Sequence, residues 1–142
     1  MRRHFLIAAA ALTSVAGTAA IGAPKTVSPH RRLLGSWKSD AERTMKYWQF
    51  RKQPDPEAVT KFAAIFGKMT WRITAKNWDG EYEGKVYRAT YEVIASDSRS
   101  VIVRHSGSKE FNAELKQYFF DEENYLYVAS GFNFEFFRRV EA

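Results

Sequence analysis

Between residues 33 and 140 the apolar positions repeat with two different periods, and the switch between them divides the chain into elements. LLGSWKSD, residues 33 to 40, places Leu33, Gly35 and Trp37 on one side and Leu34, Ser36 and Lys38 on the other, the pattern of a half-buried strand. Ser39, Asp40 and Glu42 then offer helix-start chemistry, Ser39 with Glu42 three residues on, and Ala41, Met45 and Trp48 recur at helical spacing in a segment that runs to Lys52, before Gln53-Pro54 stops it. A second helix is predicted from Asp55-Pro56-Glu57, a capping aspartate with proline in the first turn. It carries Val59, Phe62, Ala63 and Phe66 at i, i+3, i+4 and i+7, and Gly67 closes it.

From Lys68 the period becomes two. Met69, Trp71, Ile73 and Ala75 alternate with polar residues, and a turn is expected at Asn77 to Gly80. The next run changes phase midway, with Tyr82, Gly84 and Val86 in line and then Tyr87, Ala89, Tyr91, Val93 and Ala95, which predicts a bulge or sharp bend inside one strand. Val101, Val103 and His105 follow on one face, then a loop from Gly107 to Asn112, and Leu115, Gln117 and Phe119 on the next strand. Tyr125 to Ala129 and Phe132 to Val140 form a last hairpin. The sum is a mainly β protein of about seven strands, with a two-helix insertion after the first. Such a meander hides its edges most simply as a small antiparallel up-and-down barrel.

In the last strand the same parity puts Phe132, Phe134, Phe136, Arg138 and Val140 together. An arginine in line with the core is costly unless paired or stacked, so a partner is expected elsewhere. Barrel closure supplies one, because it sets the last strand beside the first and lets the Arg138 guanidinium lie over the Trp37 indole, with Gly35 leaving room for the crossing. A register slip of one residue would give that place to Arg139.

Residues 1 to 23 stand apart from this pattern. Arg2 and Arg3, an uncharged apolar run from Phe5 to about Ala16, and small residues up to Ala23 have the layout of a cleaved export signal. The run is too short and too diluted by Gly17, Thr18 and Gly22 for a membrane anchor. Arg2-Arg3-His4-Phe5-Leu6 also has the twin-arginine spacing, which leaves the Sec and Tat routes both open. Residues 24 to 31, with two prolines and a serine, read as a flexible leader, and 32 to 142 as one domain. The expected product is periplasmic or secreted.

Composition narrows the function. Without Arg2 and Arg3, the 22 basic residues become 20 against 16 acidic ones, a net of +4 scattered along the chain, which speaks against nucleic acid as partner. There is no cysteine, so the fold must rest on an ordinary core and no lipid-modified cysteine anchors it. The 22 aromatic residues, 11 Phe, 7 Tyr and 4 Trp, point to a β-protein with bulky interior side chains. His30 and His105 belong to no recognisable metal spacing, so no cofactor is expected. His105-Ser106 is no catalytic pair, since neighbours on a strand face opposite ways, and a non-enzyme is expected.

Gly35-Ser36-Trp37 near the start and an inward arginine near the end resemble the signature of the lipocalin-like, or calycin, proteins. The two helices after the first strand look like the helical lid of the fatty-acid-binding branch. The resemblance implies a barrel that binds a small apolar molecule, a fatty acid or similar. Trp71, Tyr91, Val93, His105, Phe119, Phe134, Phe136 and Arg138 are then the candidate ligand-lining residues. The alternative is a barrel packed solid by its own side chains that acts as an envelope interaction or inhibitor module. Tyr47, Phe50 and Phe137, on otherwise polar faces, are the residues that reading would use.

Overall fold

The computed structural model describes residues 29–107, 115–122 and 124–140. The expected export signal, all but the last residues of the leader, and most of the loop expected at 107 to 112 lie outside them. In chain order the elements are α1 (Pro29–Leu33), β1 (Gly35–Ser39), α2 (Ala41–Tyr47), α3 (Pro56–Ala63), β2 (Thr70–Ile73), β3 (Asn77–Tyr82), β4 (Lys85–Ser96), β5 (Ser100–Ser106), β6 (Leu115–Asp121), β7 (Tyr125–Ser130) and β8 (Asn133–Val140). Each strand pairs antiparallel with the next, and β8 pairs with β1, so eight strands close an up-and-down barrel with no open edge.

The eighth strand comes from the stretch where the alternation changed phase. Asn77 to Gly80 is no turn: it begins β3, whose ladder with β4 runs from Asn77 opposite Thr90 to Tyr82 opposite Lys85. The phase change is the hairpin turn between them, where Glu83 (φ 49°) and Gly84 (φ 81°) both take the left-handed conformation a tight two-residue turn requires. A bulge does occur, but further along β4, between Val93 and Ala95. Residues 29–33, expected as leader and strand start, are helical.

Both expected helices form, shorter than their apolar spacing implied. The Asp40 carboxylate accepts from the Arg43 N–H at 2.9 Å and the Asp55 carboxylate from the Ala58 N–H at 2.8 Å, with Pro56 in the first turn. β1 stops pairing with β8 at Ser39 opposite Phe137, and α2 takes over. The Asp40 N–H donates to the Phe136 carbonyl, and the Phe136 N–H donates to Thr44 Oγ1, each at 2.8 to 2.9 Å. α2 therefore lies on the outer face of β8 and buries Phe136 there, with Tyr47 5.4 Å away.

The interior holds Trp37, Trp71, Ile73, Trp78, Tyr91, Val101, Val103, His105, Tyr118, Leu126 and Phe137. Two strands enter with parity opposite to that expected. On β6 the inward residues are Tyr118 and Phe120, and on β8 they are Asn133, Glu135, Phe137 and Arg139. Phe119, Phe134, Phe136 and Arg138 consequently face outward. The physical cause is that both faces of these strands carry aromatics: the outer one is half covered by α2 and by its own ladder of rings, so apolar character alone does not mark the inside.

Candidate functional site

The expected closure contact exists, made by Arg139. Its guanidinium lies 4.3 Å over the Trp37 ring, and its two terminal nitrogens donate to the carbonyls of Leu34 (2.7 Å) and Arg32 (2.6 Å). The Trp37 indole N–H donates to the Leu33 carbonyl at 2.8 Å. One end of the barrel is thus sealed by α1, tied to the first and last strands through one planar cation. Gly35 (φ +124°) is indispensable to this crossing, because a Cβ there would stand 2.7 Å from Arg139 Nη1. Arg138 is exposed and opposite Lys38 on the outer face. With both terminal nitrogens on backbone carbonyls and the plane on an indole, the guanidinium serves to fix this end of the barrel.

The rest of the interior is a continuous aromatic cluster. Trp71 stacks on Phe137 (3.7 Å between centroids, 16° between planes) and meets Trp78 edge-on at 5.3 Å. Trp78 in turn touches Tyr118 (4.6 Å), His105 (4.7 Å) and Tyr91 (5.5 Å). Polar atoms are threaded through it. Tyr91 donates its hydroxyl to the Thr74 carbonyl at 2.6 Å and lies 3.1 Å from His30 Nε2, so its polar end is already engaged. His105 Nε2 is 3.0 Å from the Tyr118 hydroxyl. Burial, with Lys116 adding repulsion, lowers the His105 pKa to about 4, so the imidazole is neutral at pH 7, and burial pushes the Tyr118 hydroxyl far up. The indole N–H groups of Trp71 and Trp78 have no acceptor among the described residues, although Trp71 is only 7% exposed and Trp78 fully buried. An orphaned buried donor costs about 1–3 kcal/mol, and two neighbouring ones ask for an explanation.

Towards the helical end the interior turns polar. The Ser39 hydroxyl donates to Glu135 Oε1 at 2.7 Å and accepts from the Gly67 N–H at 2.9 Å. Asn133 grips the backbone of Gln49 with both ends of its amide, accepting at 2.7 Å and donating at 2.9 Å, and so pins the chain between α2 and α3 over this end. Burial holds the Glu135 carboxyl above the usual carboxylate range, an effect the Ser39 bond partly offsets.

Of the residues expected to line a ligand, Trp71, Tyr91 and His105 face inward together and Val93 packs against them beside the bulge. Phe119, Phe134 and Phe136 instead form an outer ladder with Tyr127: Phe119 stacks on it at 5.1 Å, and Phe134 and Phe136 each lie 5.2 Å from it. Sequence reasoning missed Trp78, Tyr118, Glu135 and Phe137. Trp78 was legible, since Trp78, Gly80 and Tyr82 alternate, but Asn77 and the Asp79-Gly80 pair read as a turn. Glu135 gave no signal, because a carboxylate on a strand is ordinarily taken to mark the wet face. Grooves on the outer surface include one of about 260 Å³ beside Trp37, Trp71 and Gly80. The chain matches no protein-family model, no curated protein and no solved structure.

Proposed function

We propose that this protein binds one small, largely apolar molecule inside the barrel, as lipocalin-like proteins do, and performs no catalysis. The reading is carried by the two buried indole N–H groups of Trp71 and Trp78, which lack an acceptor among the described residues and lie within the aromatic cluster. A pocket of aromatic surface with a few unspent polar groups is the ordinary form of a small-molecule site. The closed eight-stranded sheet and the Trp37–Arg139 seal support the kinship on which the lipocalin-like reading depends. An eight-stranded barrel either fills with its own side chains or takes one such ligand, and the unpaired donors favour the second. The ligand therefore carries a hydrogen-bond acceptor on an apolar or aromatic body, and the export-signal layout expected of residues 1 to 23 supports binding in the periplasm or outside the cell.

The test is titration of delipidated protein with a panel of fatty acids and small phenols, following tryptophan emission and thermal stability together. A saturable change with at least one acceptor-bearing ligand, weakened about tenfold in Trp78→Phe, is the expected result, a bound hydrogen bond being worth about 1.4 kcal/mol. No response across the panel would remove the reading.

A second reading is favoured by a separate observation, the exposed aromatics outside the barrel. Phe134 and Phe132 on β8 and its turn, and Tyr47 on α2, are each 41 to 56% exposed beside the Phe119–Tyr127 stack. Such a strip fits an interaction module, and loss of a partner on Phe134→Ser without loss of ligand binding would separate the two.

A further inference from the structure

Glu135 is the one carboxylate on the interior face of the described strands, and its surroundings are incomplete. An ionised carboxylate offers about four acceptor positions, whereas among the described residues Glu135 has a single hydrogen-bond partner, the Ser39 hydroxyl on Oε1. Among the described residues no cation answers its charge. Across the ladder it faces Val128, and along its own strand the inward neighbours are Asn133 and Phe137. Lys38 and Arg138 stand on the outer face of β1 and β8. From the helical segment the Gly67 N–H reaches Ser39 at 2.9 Å and is spent there. Lys116 of β6 lies towards His105, and Lys68 pairs with Glu83 at 2.6 Å. A partly buried carboxylate without a counter-charge is expensive, and proteins keep one where a ligand completes it.

Its position relative to the indoles sets the rest. Phe137, the next inward residue after Glu135, is the ring stacked on Trp71, so the carboxylate stands one strand repeat, about 7 Å, from the aromatic cluster. We propose that Glu135 is the head-group site for an ammonium, so that the barrel selects a small aromatic or apolar amine whose other end presents an acceptor to Trp71 and Trp78. The proposal rests on the interior being the binding site and adds the sign of the ligand's charge. It runs against a fatty carboxylate, whose head would meet Glu135 with like charge and no compensating cation.

Tyramine and 4-hydroxyphenylacetate test it as a matched pair. Both carry a phenol oxygen able to accept from an indole, and they differ in bearing an ammonium or a carboxylate. Calorimetry on the full mature protein near pH 8 should give one-to-one binding of tyramine at least about tenfold tighter than of 4-hydroxyphenylacetate, the scale of one charge-assisted contact. In Glu135→Gln, which keeps the size and the Ser39 contact, the ratio should fall to within about threefold, with the acid binding more tightly than in the parent. Equal or tighter binding of the acid by the parent protein overturns the proposal, as does a preference for the amine that survives in Glu135→Gln. Should the variant not fold, the ratio in the parent still decides. If neither compound binds while another ligand of the apolar panel does, the charge assignment fails and the interior site stands; if the whole panel is silent, both fall.

Discussion

At the residue scale the decisive choice lies between two adjacent arginines. Arg139 spends its guanidinium on Trp37 and two carbonyls, whereas Arg138 is exposed on the outer face. Arg139→Ala therefore loses a desolvated cation–π contact and orphans two carbonyls, for a cost of about 2–4 kcal/mol in urea unfolding. Arg138→Ala should stay within about 0.5 kcal/mol, as surface changes do. An inverted order would refute the register of β8. Gly35→Ala belongs to the same contact: positive φ and a 2.7 Å approach to Arg139 predict a loss of about 2 kcal/mol or more from a single methyl group. His105 gives a pH signature. Its folded pKa, about 4, lies below the ordinary histidine value, so between pH 6.5 and 4 the unfolded chain binds the extra proton. Stability should fall as pH drops through that window, by up to about 3 kcal/mol. Glu135, with its pKa raised, acts with opposite sign, losing stability as pH rises above the ordinary carboxylate range. Comparing the parent with His105→Gln isolates the histidine: the variant's stability should be flatter between pH 6.5 and 4, and an unchanged slope would exclude the neutral buried imidazole.

At the scale of elements, what could be read from the sequence depended on whether one face of an element was wet. The helix cap at Asp55, the strand β2 with Trp71 and Ile73 against Arg72, and β5 with Val101, Val103 and His105 were all legible, because polar and apolar residues separate cleanly there, whereas the cap of α2 falls at Asp40 and not at the expected Ser39, whose hydroxyl is taken by Glu135. β6 and β8 were misread by one residue. Tyr118-Phe119-Phe120 and Phe134-Glu135-Phe136-Phe137 carry aromatics on both faces, and only the covering of β8 by α2 settles which lies inside. Local patterning cannot see a helix packed from elsewhere in the chain. The same coupling of α2 to β8 makes a prediction. Asn133 holds the backbone of Gln49 by two bonds, so Asn133→Ala should cost about 1–2 kcal/mol and should raise hydrogen exchange first at residues 48 to 52, ahead of the barrel strands. Uniform acceleration across the sheet would mean the helical segment has no local stability of its own.

At the scale of the whole molecule the barrel is a ring, and its closure depends on the most distant pairing in the chain, β1 with β8, about a hundred residues apart. Every other strand pair joins neighbours in sequence. The ring therefore cannot lose its last strand without opening β1 on one side and β7 on the other, exposing two rows of unpaired backbone groups. Trp37, Trp71 and Trp78 report on this directly, since all three are buried in the interior and their emission shifts when water enters. A chain ending at Phe137 keeps most of β8 and the aromatic stacking of Phe137 on Trp71, but loses Arg139 and three of the four residue pairs that join β8 to β1. If closure is what makes the eight strands one cooperative unit, this truncation should not merely lower the midpoint by a few degrees. It should broaden the urea transition and separate the change in tryptophan emission from the loss of β-structure in far-ultraviolet circular dichroism, which coincide in the parent as two-state unfolding demands. Coincident, sharp transitions in the truncated chain would show instead that the aromatic interior holds the sheet together without the seal, and that the Trp37–Arg139 contact serves only to fix the position of α1.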